Sequence, residues 1–245
     1  NEKFSGVTDV VGYNYLEARM LSDHKKFPER RFLVTEELPY YCGAEGNIRS
    51  YDTNNPWNII AENDFIAGGF LWTGTDYIGE AGWPSHGWPA GLFDICMVEK
   101  PRAAFHRAMW NDEPIVRIAV RDNALDIDHG RDLWQWPNMA AIWNFPRAYE
   151  GLVIEVNTTT NCERVALFHN GNEMGVRRTA DYPNHTITWC LPYRRGTLVA
   201  KGINGTDTVA VHEIRTAGDA VRLKATADRG KLMADGQDLS YVQVE

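Results

Sequence analysis

The chain has 245 residues, 44% apolar and 24% charged, a balance that supports a sizeable buried core in one large domain or two ordinary ones. Its net charge of −8 argues against nucleic acid or an anionic membrane surface as the main partner. The charge is uneven, with 10 Lys/Arg against 17 Asp/Glu in residues 1–113 and 15 against 16 in residues 114–245.

Three apolar runs open the chain: Asp9-Val-Val-Gly-Tyr-Asn-Tyr15, Arg31-Phe-Leu-Val-Thr-Glu-Glu37 and Ala67-Gly-Gly-Phe-Leu-Trp-Thr73. Each has the length and the β-branched or aromatic content of a buried parallel strand. A short helix is expected over residues 16–26 after the first. A Gly-containing loop (42–54) follows the second, and Pro56 then stands where a helix could start. The third run feeds a loop over 74–100, rich in Gly, Pro and Trp. That loop is too long for a simple connector and too aromatic for a linker, which marks it as a binding element. A helix over 102–110 closes the segment. Polar and aromatic groups at the ends of successive βα strands are the arrangement of an α/β-barrel enzyme face, although three such units are present where a closed barrel needs eight.

Beyond Pro114 the texture becomes all-β. Strand candidates lie at 115–121, 139–145, 152–156, 163–169, 185–190, 197–201 and 208–215. They are separated by turn signals such as Asn170-Gly171 and Asn204-Gly205. That cadence, without helices between, reads as a β-sandwich of immunoglobulin-like type. Residues 220–227 form its last strand or the first of another module, and 235–245 read as a strand entering that module.

Glu36 is the leading catalytic candidate. In a regular strand Phe32, Val34 and Glu36 share one face, and Leu33, Thr35 and Glu37 the other, so one glutamate can face a site while its neighbour faces packing or solvent. A strand-tip carboxylate among aromatics suits a glycosidase nucleophile. Tyr15 can hydrogen-bond such a carboxylate and orient it, with Asn14 beside it. Trp72 at the third tip can floor a sugar ring. Five of the nine tryptophans (Trp57, Trp72, Trp83, Trp88, Trp110) fall in the first segment, where indole faces can stack on sugars.

Other signals are weak. Asn1-Glu2 has no strand before it, so Glu2 reads as a loop residue, and His86 reads as an exposed loop histidine. The histidines and the four cysteines show no metal-ligand spacing or CxxC pattern, and no glycine cluster forms a phosphate cradle. Neither Cys42 nor Ser50 has a local nucleophile–base signature. No metal or cofactor is expected. No apolar run reaches membrane-span length, and no signal peptide is visible.

The quoted runs, extended to Phe65-Ile-Ala-Gly-Gly-Phe-Leu-Trp72-Thr-Gly-Thr-Asp76-Tyr-Ile-Gly-Glu80 and Gly91-Leu-Phe-Asp94 with Lys100, resemble the carboxyl-terminal part of a glycoside hydrolase family 2 barrel. This is the group of the β-galactosidases and β-glucuronidases. Asn161-Cys-Glu-Arg-Val-Ala-Leu-Phe-His-Asn-Gly171 and Trp189-Cys-Leu-Pro-Tyr-Arg-Arg-Gly-Thr-Leu-Val-Ala200 resemble the immunoglobulin-like domain that follows it.

The resemblance implies that Glu36 is the nucleophile, Tyr15 its hydrogen-bond partner and Trp72 the glycone platform. Asn14, Asp76 and the Trp83–Trp88 loop would be surrounding pocket positions. It implies a retaining enzyme, commonly periplasmic or extracellular, acting on oligo- or polysaccharides. The family's acid/base glutamate, in an Asn-Glu on an earlier strand, has no counterpart here. The chain therefore reads as a fragment: residues 1–113 as barrel strands six to eight, 114–218 as the sandwich, and 219–245 as its last strand and the start of a further β module. Such a fragment is expected to have little turnover alone. Its open barrel edge calls for cover by the rest of the polypeptide or a second copy. Two other classes stay open, a non-catalytic carbohydrate-binding or interaction module and a structural domain that binds no sugar.

Overall fold

The computed structural model describes residues 6–37, 56–84, 86–121, 136 and 139–244. Glu2, Cys42, Ser50 and the expected loop at 42–54 lie outside the described residues. Strands β1 (Val10–Asn14), β2 (Arg31–Glu37) and β3 (Ile66–Leu71) form a parallel sheet in the order β1-β2-β3. Helix α1 (Glu17–Lys26) connects the first two strands, and α2 (Pro56–Ala61) precedes the third. The apolar runs bury Val11, Met20, Phe32, Val34, Ile60 and Ile66 in one cluster. His24 stacks on Phe65 with ring centres 3.7 Å apart, and the Tyr13 hydroxyl bonds Asp23, so α1 is tied to the sheet at two points.

The tip of β2 departs from the expected alternation. Val34 pairs with Gly69 and Glu37 with Leu71, so β2 uses one more residue than β3 over that stretch. Against β1 the register steps from Tyr13↔Val34 to Asn14↔Glu36, passing over Thr35. This extra residue is a bulge, and it turns Glu37 to the side of Phe32 and Val34. Glu37 is 1% exposed, whereas Thr35 is exposed. A Cβ on Gly69 would lie 2.7 Å from Ile60 Cδ1 and 2.9 Å from Glu37 Oε2, so only glycine lets this carboxyl fit behind the sheet.

The long loop contains a small antiparallel pair, β4 (Tyr77–Ile78) with β5 (Gly87–Trp88). Helix α3 (Pro101–Trp110) begins on a proline, as preorganised helix starts do, and buries Phe105 and His106 beside Trp136. Asn161 then fastens the α/β segment to the all-β part of the chain. Its amide donates to the carbonyls of Asn111 and Glu113, and its oxygen accepts the Ile115 N–H at 2.8 Å.

The remainder forms two four-stranded antiparallel sheets. One contains β6 (Val116–Arg121), β7 (Met139–Ala140), β8 (Val153–Thr160) and β11 (Thr186–Pro192), in the order β11-β8-β6-β7. The other contains β9 (Arg164–His169), β10 (Asn172–Arg178), β12 (Thr197–Asn204) and β13 (Asp207–Arg215), in the order β10-β9-β12-β13. Both contribute to one core around Trp143, Trp189 and Tyr193.

Two expectations need correction. The candidate at 139–145 is a strand only at Met139–Ala140; Trp143 and Phe145 still reach the core from irregular chain. Strand β10 is absent from the expected set, because its side chains are almost all exposed and leave no apolar alternation. Past the sandwich, β14 (Ala225–Ala227) pairs with β15 (Val242–Val244) in an exposed hairpin. Among the described residues no helix is long and apolar enough to cross a membrane.

Candidate active site

The three tips of the parallel sheet meet. Tyr15 follows β1 with φ of +58°, and its N–H donates to the Glu36 carbonyl at 2.9 Å. That backbone bond brings the Tyr15 side chain back over β2, where its hydroxyl donates to Glu36 Oε2. Burial, then the bond to Glu36, raise the phenol well above its ordinary range, so Tyr15 stays protonated and keeps donating. Trp72 sits at the third tip, its N–H on the Glu37 carbonyl at 2.9 Å. The Thr35 hydroxyl donates to Asn14 Oδ1, which turns the Asn14 side chain toward Thr35.

Asp76 and Trp83 are placed differently. Asp76 Oδ1 accepts from Lys100 Nζ at 2.6 Å and from the Gly91 N–H at 2.8 Å, and Lys100 also holds the Pro89 carbonyl at 2.8 Å. The aspartate thus braces the loop from within. Trp83 is 87% exposed at the loop tip, edge-on to the exposed His86.

Two residues to which the sequence reading gave no role join the cluster. Tyr77 meets Trp72 edge-to-face, with ring centres 6.1 Å apart at 82°, and its hydroxyl donates to Glu80 Oε2. The Tyr77-x-x-Glu80 spacing, with Gly79 between them at φ of +102°, is the one sequence signal for a turn that folds Glu80 back.

Behind the site, Glu37 has a carboxyl pushed up to about 8 from an ordinary 4.5, first by burial and then by the neighbouring Glu17. Below pH 4.5 both folded and unfolded chains hold this proton. Between 4.5 and 8 only the folded chain keeps it, so stability falls with rising pH at roughly 1.4 kcal/mol per unit. Glu37→Gln is expected to stay close to wild type at pH 5 and to exceed it at pH 9, as read from urea midpoints at the two values.

Among the described residues no group of three or more His, Cys, Asp or Glu is arranged to hold a metal. The thiols of Cys96, Cys162 and Cys190 are free. A groove of about 650 Å³ lies between the helices and the sandwich, lined by Asn58, Met109, Arg178 and His185 among others.

Comparison with known proteins gives this arrangement its context. Residues 151–210, in the sandwich, match the domain of unknown function DUF4982. The chain is 28% identical to β-galactosidase BoGH2A of Bacteroides ovatus, over 98% of this chain and 30% of that protein. It superposes on a glycosyl hydrolase family 2 member from Bacteroides cellulosilyticus with a TM-score of 0.82 and 31% identity, covering 97% of this chain and 31% of that one. A β-glucuronidase of Bacteroides uniformis matches at a TM-score of 0.57 and 20% identity, over 88% of this chain and 27% of that one, a likeness of fold alone. The chain therefore spans about a third of the length of the relatives it matches. Matched along nearly its whole length by proteins of this kind, and built as they are, the chain belongs to glycoside hydrolase family 2.

Proposed function

We propose that the chain supplies the nucleophile side of a retaining β-glycosidase site acting on terminal β-galactosides of oligo- or polysaccharides. The observation that carries this reading is the hydrogen bond from the Tyr15 hydroxyl to the Glu36 carboxylate, at adjacent strand tips and beside Trp72. Glu36 Oε attacks the anomeric carbon while the glycosidic oxygen leaves with a proton from a second carboxyl about 5 Å away. A glycosyl ester forms; water, deprotonated by that same second carboxyl, then releases the sugar with its configuration retained. Tyr15 fixes the attacking oxygen, and Trp72 offers an apolar shelf to the ring.

In this reading residues 1–113 are the carboxyl-terminal part of a (β/α)8 barrel, with β1 to β3 its sixth to eighth strands. Residues 114–218 are an immunoglobulin-like sandwich, and 219–245 start a further β module. The parallel order β1-β2-β3 and the core shared by two antiparallel sheets support it. So do the exposed apolar side chains of the last hairpin, Leu232, Leu239 and Tyr241 among them, which ask for cover by more polypeptide. The acid/base carboxyl is assigned to an Asn-Glu in that further polypeptide.

Hydrolysis of an aryl β-galactoside tests the proposal. The 245-residue chain alone is expected to show no turnover, while the full-length polypeptide releases β-galactose first, as followed by proton NMR. Turnover by the chain alone would contradict the assigned acid, and release of α-galactose would contradict a covalent intermediate. Saccharide-dependent tryptophan fluorescence with no turnover by either polypeptide would favour a binding module instead.

A further inference from the structure

The ladder between β9 and β10 sets Arg164 directly opposite Arg178, so both side chains leave the same face of the sheet. Like charges placed opposite one another weaken a sheet. Among the described residues neither guanidinium makes an ion pair, and Arg164 spends one of its five donors on the Gly205 carbonyl. Both line the groove of about 650 Å³ between the helices and the sandwich. The acid among its lining residues, Glu163, is committed elsewhere, since its Oε2 accepts the Gly205 N–H at 2.9 Å.

The rest of the groove suits a sugar. Tyr182 is half-buried, with its ring packed against the sandwich core and its hydroxyl held by Arg177 at 2.9 Å, so it brings a fixed aromatic ring to the lining. Asn58 of α2 adds an amide from the helical side. Two consecutive lining residues, Asn184 and His185, have φ of +53° and +57°. Such a backbone is uncommon outside glycine, and strain of this kind gathers at binding sites.

We propose that this groove is an accessory site for an acidic saccharide, with Arg164 and Arg178 clamping its carboxylate or sulfate ester. Guanidinium forks match planar oxyanions and bind them in charge-assisted pairs. An anion between the two guanidiniums turns their mutual repulsion into attraction. A groove of this volume has room for a short oligosaccharide, and its amide and aromatic ring serve the hydroxyls and the apolar ring faces. A chain anchored here stays at high local concentration near the enzyme. Tyr15, Glu36 and Trp72 do not line the groove, so the inference goes beyond the glycosidase reading and does not depend on it.

The test is calorimetric titration of the full-length polypeptide carrying Glu36→Gln, with galactose saturating the catalytic pocket. The probes are digalacturonate, a sulfated galactobiose, neutral galactobiose and sodium sulfate. At least one acidic disaccharide is expected to bind one-to-one, at least about tenfold tighter than galactobiose or bare sulfate, and more weakly as salt rises. Which of the two binds identifies the anion as carboxylate or sulfate ester. Adding Arg178→Gln should weaken that binding by about 10- to 100-fold, and Arg178→Lys, which keeps the charge but not the fork, should recover only part of it. Without ligand, Arg178→Gln should match or exceed the urea midpoint of its parent, because it removes a repulsion.

Failure of both acidic disaccharides to bind would overturn the proposal, as would equal binding of galactobiose or bare sulfate. Displacement of the bound disaccharide by galactose would assign it to the catalytic pocket and overturn the separate site. Undiminished binding by Arg178→Gln, or a midpoint well below that of its parent, would remove the arginine pair as its basis.

Discussion

Glu36→Ala in the full-length polypeptide is expected to lower kcat for an aryl β-galactoside by on the order of 100,000-fold. The size follows from the proposed mechanism: there the carboxylate forms the bond that defines the intermediate, and alanine leaves a hole where that bond would form. Azide diffusing into the hole should restore turnover and yield the α-galactosyl azide, since it attacks from the face Glu36 has vacated. The neighbouring substitutions calibrate the effect. Tyr15→Phe removes only the group that orients the nucleophile and should cost about 100-fold in kcat. Glu37→Gln lies behind the sheet and should change kcat little, because its carboxyl is buried over Gly69. The assignment to position 36 is wrong if azide fails to rescue Glu36→Ala, or if Glu37→Gln proves the more damaging change. Product analysis by NMR alongside initial rates separates these outcomes.

Trp143→Ala should be the most destabilising single change in the sandwich, by about 4 kcal/mol. The indole is fully buried, with Tyr193 5.0 Å, His169 5.7 Å and Phe145 5.8 Å away between ring centres. Its N–H donates to the Arg194 carbonyl at 3.0 Å, so the substitution opens a cavity and also removes one hydrogen bond from that carbonyl, which keeps His169 Nε2 at 3.0 Å. Trp143→Phe fills most of the space and forfeits the bond, and should cost about 1–2 kcal/mol. Met174→Ala on the exposed face of β10 should stay within about 0.5 kcal/mol. Urea denaturation followed by circular dichroism ranks the three. A loss below about 1 kcal/mol for Trp143→Ala would mean that the two sheets do not share the core described for them.

The strands that bury one or both faces were legible, because burial imposes a pattern on sequence. Phe32 and Val34 in β2, and Val116, Ile118 and Val120 in β6, sit in the core as their spacing implies. Strand β10 buries little and is held mainly by its ladder to β9 across the Asn170-Gly171 turn, so hydrophobicity carried no trace of it. Alternation puts the side chain of Glu37 on the wrong face because it presumes an unbroken register. The extra residue near Thr35 breaks that register in a way visible only in the pairing with β1 and β3.

Within the site, Tyr15 and Glu36 could be paired from their positions at the ends of consecutive strands, since parallel neighbours bring such ends together. Asp76 and Glu80 could not be told apart that way. Both are acids on one loop, and only its folding gives Asp76 to Lys100 while leaving Glu80 outward beside Tyr77.

The claim that Glu36 is a nucleophile can be measured most directly by covalent capture. A 2-deoxy-2-fluoro-β-galactoside with a dinitrophenolate leaving group departs without needing a proton, so it can report on the nucleophile even where the acid partner is lacking. The fluorine then slows hydrolysis of the ester, and the adduct accumulates. Peptide mass spectrometry of the treated full-length polypeptide is predicted to show a single fluorogalactosyl group on Glu36, absent from Glu36→Gln. An adduct on Glu37, Glu80 or any other residue, or none where the enzyme hydrolyses galactosides, would contradict the account.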